Sequence, residues 1–205
     1  MTTASDVLAW LGRTDVYVLD QWMRGRIRPA MRLLDAGCGT GRNLPYFLRA
    51  GFDVSAVDAH PDAVDRVRKL AAKLAPRLPA SNFRAERIEA MSFPDASFDA
   101  VFSSAVLHFA EGPADFRGML DGMWRVLRSG GFFFARLAST ITIEDAVAPI
   151  GNGRYRLPDG TDRFLVDEAM LESLAEELGG MFAEPLKTTN VQRQRAMTTW
   201  CLTKR

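Results

Sequence analysis

Three glycines at alternate positions, Gly37, Gly39 and Gly41, follow a short apolar run that ends in Asp35, in the stretch MRLLDAGCGTGRNLPYFL from 31 to 48. Glycine takes left-handed backbone without steric cost, and its missing side chain lets another group approach the main chain closely. A glycine-rich turn set between an apolar run and a helix-like pattern therefore predicts a strand–turn–helix unit. RLLDA reads as a strand buried on both faces. Beyond the turn, Leu44, Phe47 and Leu48 recur at helical spacing, Pro45 is tolerated in a first helical turn, and Gly51 closes the helix.

The same alternation continues along the chain. FDVSAVD is a second strand, and HPDAVDRVRKLAAKL a helix with Pro61 and Asp62 at its start and Val64, Val67, Ala71 and Leu74 as its buried stripe. NFRAE and FDAVFSS read as strands. Phe116, Met119, Leu120, Met123 and Leu127 mark a helix stopped by SGG, FFFARLA is the strand after it, and DEAMLESLAEELGG returns to helix. PLKTTNVQ and RAMTTWCLT finish as a closing hairpin. Upstream, Val18, Leu19, Trp22, Met23 and Ile27 predict one helix over 5–28, ended by Pro29, within an N-terminal helical cap of residues 1–30. Strands alternating with helices every 20 to 30 residues indicate an α/β chain with a parallel sheet, read here as one domain over 1–205. The stretch from Ser139 to Arg163 departs from that regularity. It carries three glycines and two prolines, and its length predicts a lid or a mobile, substrate-facing segment.

Composition narrows the function classes. Lys and Arg number 26 and Asp and Glu 25, a net charge of +1, so the strongly basic footprint of a nucleic-acid protein is absent. The run Arg24, Arg26, Arg28, Arg32 reads as a solvated face. Cys38 and Cys201 cannot form a secreted disulfide framework. MTTASDVLAWLGRTD does not read as a signal peptide, and no run approaches the roughly 18 apolar residues of a membrane span. The expected compartment is the cytoplasm, and no metal site is expected.

Glycine loops after a first strand serve several ligands. The dinucleotide fingerprint is G-x-G-x-x-G, whereas the spacing here is G-x-G-x-G, with Arg42 in the slot where the fingerprint has its third glycine. No Gly-Lys-Ser/Thr follows, which excludes a P-loop. Asp58 ends the second strand 23 residues beyond Asp35, where a carboxylate can accept both hydroxyls of a ribose. Asp58 as the N-cap of the following helix is the simpler alternative.

LLDAGCGTGRN, VSAVDAHPDAV, SFPDASFDAVFSSAVLHF and VLRSGGFFFARLA, in that order over about residues 31 to 138, resemble the successive motifs of class I S-adenosylmethionine-dependent methyltransferases. The ending from DRFLVDEA to TTWCLTKR resembles the family's C-terminal helix and hairpin with less specificity. The resemblance implies a Rossmann-like three-layer sandwich whose seven-stranded, mostly parallel sheet has an antiparallel last strand. It implies S-adenosyl-L-methionine as cofactor and S-adenosyl-L-homocysteine as product. Gly37, Cys38 and Gly39 would lie beneath the cofactor's amino-acid part, whose carboxylate suits backbone N–H groups at a helix N-terminus. Asp35 would accept from its ammonium and Asp58 from its ribose. Ala59 would lie against the adenine, Arg87 and Ile88 at the adenine edge, and Ser103 near the methionine end. Glu86, Arg87 and Ile88 stand where many relatives have Gly-Asp-Ala. Arginine has only donors, so the adenine amine must find Glu86, Glu89, a backbone carbonyl or water.

A sulfonium is already an excellent leaving group, so the protein must chiefly hold a nucleophile in line with the methyl and exclude water. His108 is the candidate general base, with a pocket wall as its other reading. The expected partner is a small-molecule acceptor meeting the N-terminal helices, the segment 139–163 and the hairpin residues Gln192 to Arg195. Arg154, Arg156 and Arg163 favour an acidic or carboxylate-bearing acceptor, although solvated loop arginines explain the same charges. Methylation of RNA or protein, and a non-catalytic cofactor-binding module, stay open as alternatives. Arg42 disfavours a nicotinamide enzyme. Oligomeric state is not readable.

Overall fold

A computed structural model describes residues 10–205. Its main sheet is assembled from β1 (Arg32–Ala36), β2 (Asp53–Asp58), β3 (Phe83–Ala85), β4 (Phe98–Ser104), β5 (Leu127–Ser139), β10 (Lys187–Val191) and β11 (Arg195–Lys204), in the order β10-β11-β5-β4-β1-β2-β3. β1 pairs in parallel with β2 and β4, β2 with β3, and β4 with β5. Only β11 runs against the rest, antiparallel to β5 and to β10. The seven-stranded path with one reversed strand thus has the expected form. A short β9 (Gly180–Phe182) adds to it, pairing with the last residues of β11 on the edge that β10 also occupies. β9 and β10 are successive halves of one edge, interrupted at residues 183–186.

The central strands form because their residues suit burial on both faces. Leu33, Leu34, Val54, Val57, Val101 and Phe102 are shielded almost completely. On one side α2 (Pro45–Arg49) and α3 (Pro61–Leu74) bring Phe47, Val64, Val67 and Ala71 into a cluster with Leu33, Val54 and Phe102. On the other, α4 (Pro113–Val126) and α5 (Glu168–Glu177) bring Phe116, Leu120, Met123 and Leu171 against Leu34, Val101, Phe133 and Trp200. Each fully buried large side chain contributes roughly 1.5–3 kcal/mol. The result is a three-layer α/β sandwich.

Four expectations change. Among the described residues the helix predicted over 5–28 is broken: 10–11 are helical, and after a turn α1 (Val16–Met23) begins, capped by Asp15, whose side chain accepts from the Tyr17 N–H. It stops well before Pro29, because Gly25 turns left-handed at φ +72° and the Arg26 N–H returns to Gln21 O. Residues 5–9 lie outside the described residues. The helix after the glycine loop is only five residues long and follows a turn through Gly41 to Leu44. SGG does not separate helix from strand: β5 starts at Leu127 and bulges, so that Phe98 faces Leu127 but Ala100 faces Phe132. The segment 139–163, expected as a lid or a mobile, substrate-facing stretch outside the strand–helix alternation, has regular structure of its own. Together with Phe164 it holds a three-stranded antiparallel sheet of β6 (Ala148–Gly151), β7 (Arg154–Arg156) and β8 (Asp162–Phe164), anchored where Phe164 stacks on Phe116 at 4.8 Å.

Candidate functional site

Strand order reverses between β1 and β4, the place where open parallel sheets form a crevice beyond their carboxyl ends. A cleft of about 450 Å³ lies there, and Gly37, Gly39, Asp58, Ala59, Arg87 and Ile88 line it. The chain thus brings six of the sequence-predicted residues to one place. A Cβ on Gly37, at φ +80°, would lie 2.6 Å from both methyl carbons of Val106. A Cβ on Gly39, at φ +51°, would meet nothing within 4 Å, so bare backbone faces open space. Asp58 shapes this floor: its Oδ2 accepts from the Gly39 N–H at 2.8 Å and its Oδ1 from the His60 N–H at 3.0 Å. The latter contact is the capping reading in altered form, for His60 itself occupies the N-cap of α3. A carboxylate offers about four lone-pair positions, so two oxygens with one partner each retain capacity for a diol.

Four of the loop amides already have protein acceptors. Gly37 and Cys38 N–H both donate to Val57 O, Gly39 N–H to Asp58, and Gly41 N–H to Cys38 O. With those four donors engaged and α2 a single short turn, a side-chain donor is a further partner open to a ligand carboxylate. Arg42 is close by. It donates to Ser104 Oγ at 2.9 Å and lies near enough to Asp35 to oppose the rise that burial imposes on that carboxyl.

Asp35, Cys38 and Ser103 lie behind the cleft rather than on its wall. Asp35 is 1% exposed, and neither of its oxygens has a hydrogen-bond partner; Ser103 Oγ is likewise buried and unpartnered among the described residues. Burial pushes the Asp35 carboxyl up to about 8, the Arg42 guanidinium opposing and Asp58 adding to the rise. Cys38 is buried with its thiol pKa raised by burial, so its thiol is inert.

His108 lies elsewhere. It lines a second cavity of about 370 Å³ that shares Ala105 and Phe109 with the cleft. The Ala138 N–H donates to its Nδ1 at 3.2 Å, and burial, with Arg163, Arg136 and Arg195 nearby, lowers its pKa to about 4. Arg42, Arg136, Arg163 and Arg195 line this cavity, with Asp159 as its one carboxylate. Arg154 and Arg156 turn instead to Asp162, and of the hairpin residues 192–195 only Arg195 reaches the wall.

Sequence reasoning missed several contributors. Val106 and Asp115 line the cleft beside Glu89, which the sequence had offered as an acceptor for an adenine amine; Arg87 is tied to Glu89 and lies 3.4 Å from Asp115. Glu86, one of the acceptors considered for an adenine amine, is taken by the Ser92 N–H and Oγ. Asp15 accepts from Ser104 Oγ at 2.7 Å and lies 3.5 and 3.6 Å from Arg42 and Arg136. Its position before an amphipathic stripe signals an N-cap, but no local pattern signals partners on β4 and β5.

The model of the methyltransferase-domain family matches residues 34–135, about half of the chain. The chain is 34% identical over 116 residues to the malonyl-[acyl-carrier protein] O-methyltransferase of Serratia marcescens, covering 56% of this chain and 42% of that one. It is 33% identical over 151 residues to the ubiquinone biosynthesis O-methyltransferase of Methylocella silvestris, covering 71% and 56%. The chain spans about half the length of the curated relatives it matches. Among solved structures, the PH0226 protein from Pyrococcus horikoshii OT3 is similar in fold, with a TM-score of 0.70 over 99% of this chain and 100% of that one at 17% identity.

Proposed function

Because the chain belongs to the class I S-adenosylmethionine-dependent methyltransferase family, we propose that it transfers a methyl group from S-adenosyl-L-methionine to a small-molecule acceptor. The observation that carries this reading is Asp35, a buried carboxylate with no partner at the end of β1 beneath a bare glycine floor. An unpaired buried acid is costly, and a cationic ligand group is the partner that would offset that cost. The cofactor's ammonium is such a group, with Ser103 Oγ a further unpartnered atom nearby in the fold.

When bound, S-adenosylmethionine supplies a methyl group on a positively charged sulfur. The residues of this chain would do the rest. Asp58 would take the ribose diol with its remaining lone pairs, and Gly39 would admit the ligand against bare backbone. Ala59 and Ile88 would give apolar contact to the adenine, and Arg42 would pair with the amino-acid carboxylate. Glu89, on the cleft wall, supplies the acceptor that Arg87 cannot. His108 serves as a hydrogen-bond donor through Nε2, because Nδ1 already accepts from Ala138.

The balanced net charge and the modest volume of the second cavity, about 370 Å³, support a small acceptor over a nucleic acid. Both cysteines are buried and unpaired, which supports a reducing compartment such as the cytoplasm. No helix of the described residues is long and apolar enough to cross a membrane.

A thermal-shift titration with S-adenosylmethionine, S-adenosylhomocysteine and NAD tests the reading. Either sulfur compound at 100 times its Kd should stabilise the fold by about 2.7 kcal/mol. A response to NAD alone would overturn it.

A further inference from the structure

The second cavity holds a charge excess that the cofactor reading does not use. Arg136, Arg163 and Arg195 line it together with Asp159, and His108 on the same wall is neutral near pH 7. Among the described residues no carboxylate lies within ion-pair distance of Arg163 or Arg195. Arg163 is held in place by stacking, its guanidinium 4.8 Å above the Phe109 ring, and by donating to Asp162 O at 2.7 Å. Arg136 is mostly buried, yet its Nε has no partner. A buried guanidinium N–H left unsatisfied costs free energy that an incoming acceptor atom would recover.

We propose that this cavity is the acceptor subsite and that it selects molecules carrying a carboxylate, held by Arg163, Arg195 and Arg136. The inference deepens the methyltransferase reading and rests on it. Two features of the wall select the class of guest. Leu157, Met197 and Phe109 offer apolar surface for an organic skeleton, so the guest is an organic acid rather than a bare ion. Asp159 on the same wall penalises a doubly charged head, which favours a planar carboxylate over a phosphate dianion. The shared residues Ala105 and Phe109 put the anchored guest next to the cleft that would hold the methyl donor.

The test uses the full chain, with and without saturating S-adenosylhomocysteine, and reads melting temperature at constant ionic strength. The probes are benzoate, its neutral isostere benzamide, hexanoate and inorganic phosphate at equal millimolar concentration. In the loaded protein the carboxylates should each raise the melting temperature by about 2–4 °C, benzamide should do nothing, and phosphate should do less than either acid. The paired substitution Arg163→Gln and Arg195→Gln should abolish the carboxylate response while leaving that to S-adenosylhomocysteine intact. Equal responses to benzoate and benzamide, a phosphate response above both acids, or a carboxylate response that survives the double substitution would each overturn the proposal. Absence of any shift with S-adenosylhomocysteine would instead reject the methyltransferase reading, and with it the inference that depends on it.

Discussion

The Ala138 N–H donates to Nδ1 of His108 across 3.2 Å, so the one acceptor nitrogen of the neutral imidazole is already engaged. A ring so placed can donate from Nε2 but has no lone pair for a substrate proton. His108→Gln should therefore lower kcat less than tenfold, and the pH–rate profile should be the same in both proteins between about pH 6 and 8. A loss of several orders of magnitude would restore the general base.

The same imidazole makes stability depend on pH. Burial, then Arg163, Arg136 and Arg195, lowers its pKa from 6.5 to about 4. Between those values the unfolded chain binds the extra proton. The contribution is thus complete above pH 6.5 and is lost as pH falls through about 4, a change of about 3 kcal/mol. Urea denaturation from pH 7 down to 4 should show the decline, and His108→Gln should flatten it.

Asp35 acts in the opposite sense. Burial raises its pKa from 3.8 to about 8, so the folded chain holds the proton over that window. The stability it lends without ligand is fully present below 3.8 and is lost as pH rises through about 8. A cationic ligand group requires the ionised form, so S-adenosylhomocysteine should release a proton on binding below pH 8. Its affinity should weaken about tenfold for each unit that pH drops. Calorimetry in buffers of different ionisation enthalpy counts that proton, and Asp35→Asn should abolish both the release and the slope. A constant affinity over this range would remove Asp35 from contact with ligand.

Gly37→Ala places a methyl 2.6 Å from both Cγ atoms of Val106 at a backbone angle that alanine rarely adopts. The expected cost is about 1–3 kcal/mol in chemical denaturation. Adding Val106→Ala should recover the part due to the clash and leave the part due to φ, which a double-mutant cycle separates.

Glu184 interrupts the β9/β10 edge and turns inward to accept from Gln21, Arg26, Lys187 and Cys201. Burial alone would raise its carboxyl, but hydrogen bonds from Lys187, Arg26 and Cys201 outweigh that and bring it down to about 2 from 4.5. Its contribution is present above pH 4.5 and is lost as pH falls toward 2. Glu184→Gln should cost about 2–4 kcal/mol at pH 7 and remove that acid limb from the denaturation profile.

The strand–helix alternation was legible because continuous apolar runs such as DVSAVD and FDAVFSS leave a parallel sheet little alternative, and β2 and β4 fall on those residues. Asp58 and the glycines reach the cleft for the same local reason: the loop and its carboxylate sit at strand ends. What failed was long-range. The helix read through to Pro29 did not register that Gly25 could end it. The prolines and glycines of 139–163 concealed turns of a small antiparallel sheet whose register depends on Phe164 meeting Phe116. His108 lines a cavity wall, the other of its two sequence readings, while the backbone amide of β5 that engages its Nδ1 is a contact that no spacing reveals.

The tie between chain extremes has a practical side. Glu184 clasps α1 from the link between β9 and β10, the Tyr17 hydroxyl meets Thr189 Oγ1 at 2.5 Å, and the Arg136 guanidinium lies 4.6 Å over the Tyr17 ring. Removing β10 would strip the outermost strand and also unseat the aromatic lid on an arginine of the second cavity. Because β11 follows β10 in the chain and pairs with β5, trimming the tail would take that inner strand first; Thr189→Val keeps both strands, frees Tyr17 from its hydroxyl partner, and should blunt selection among guests.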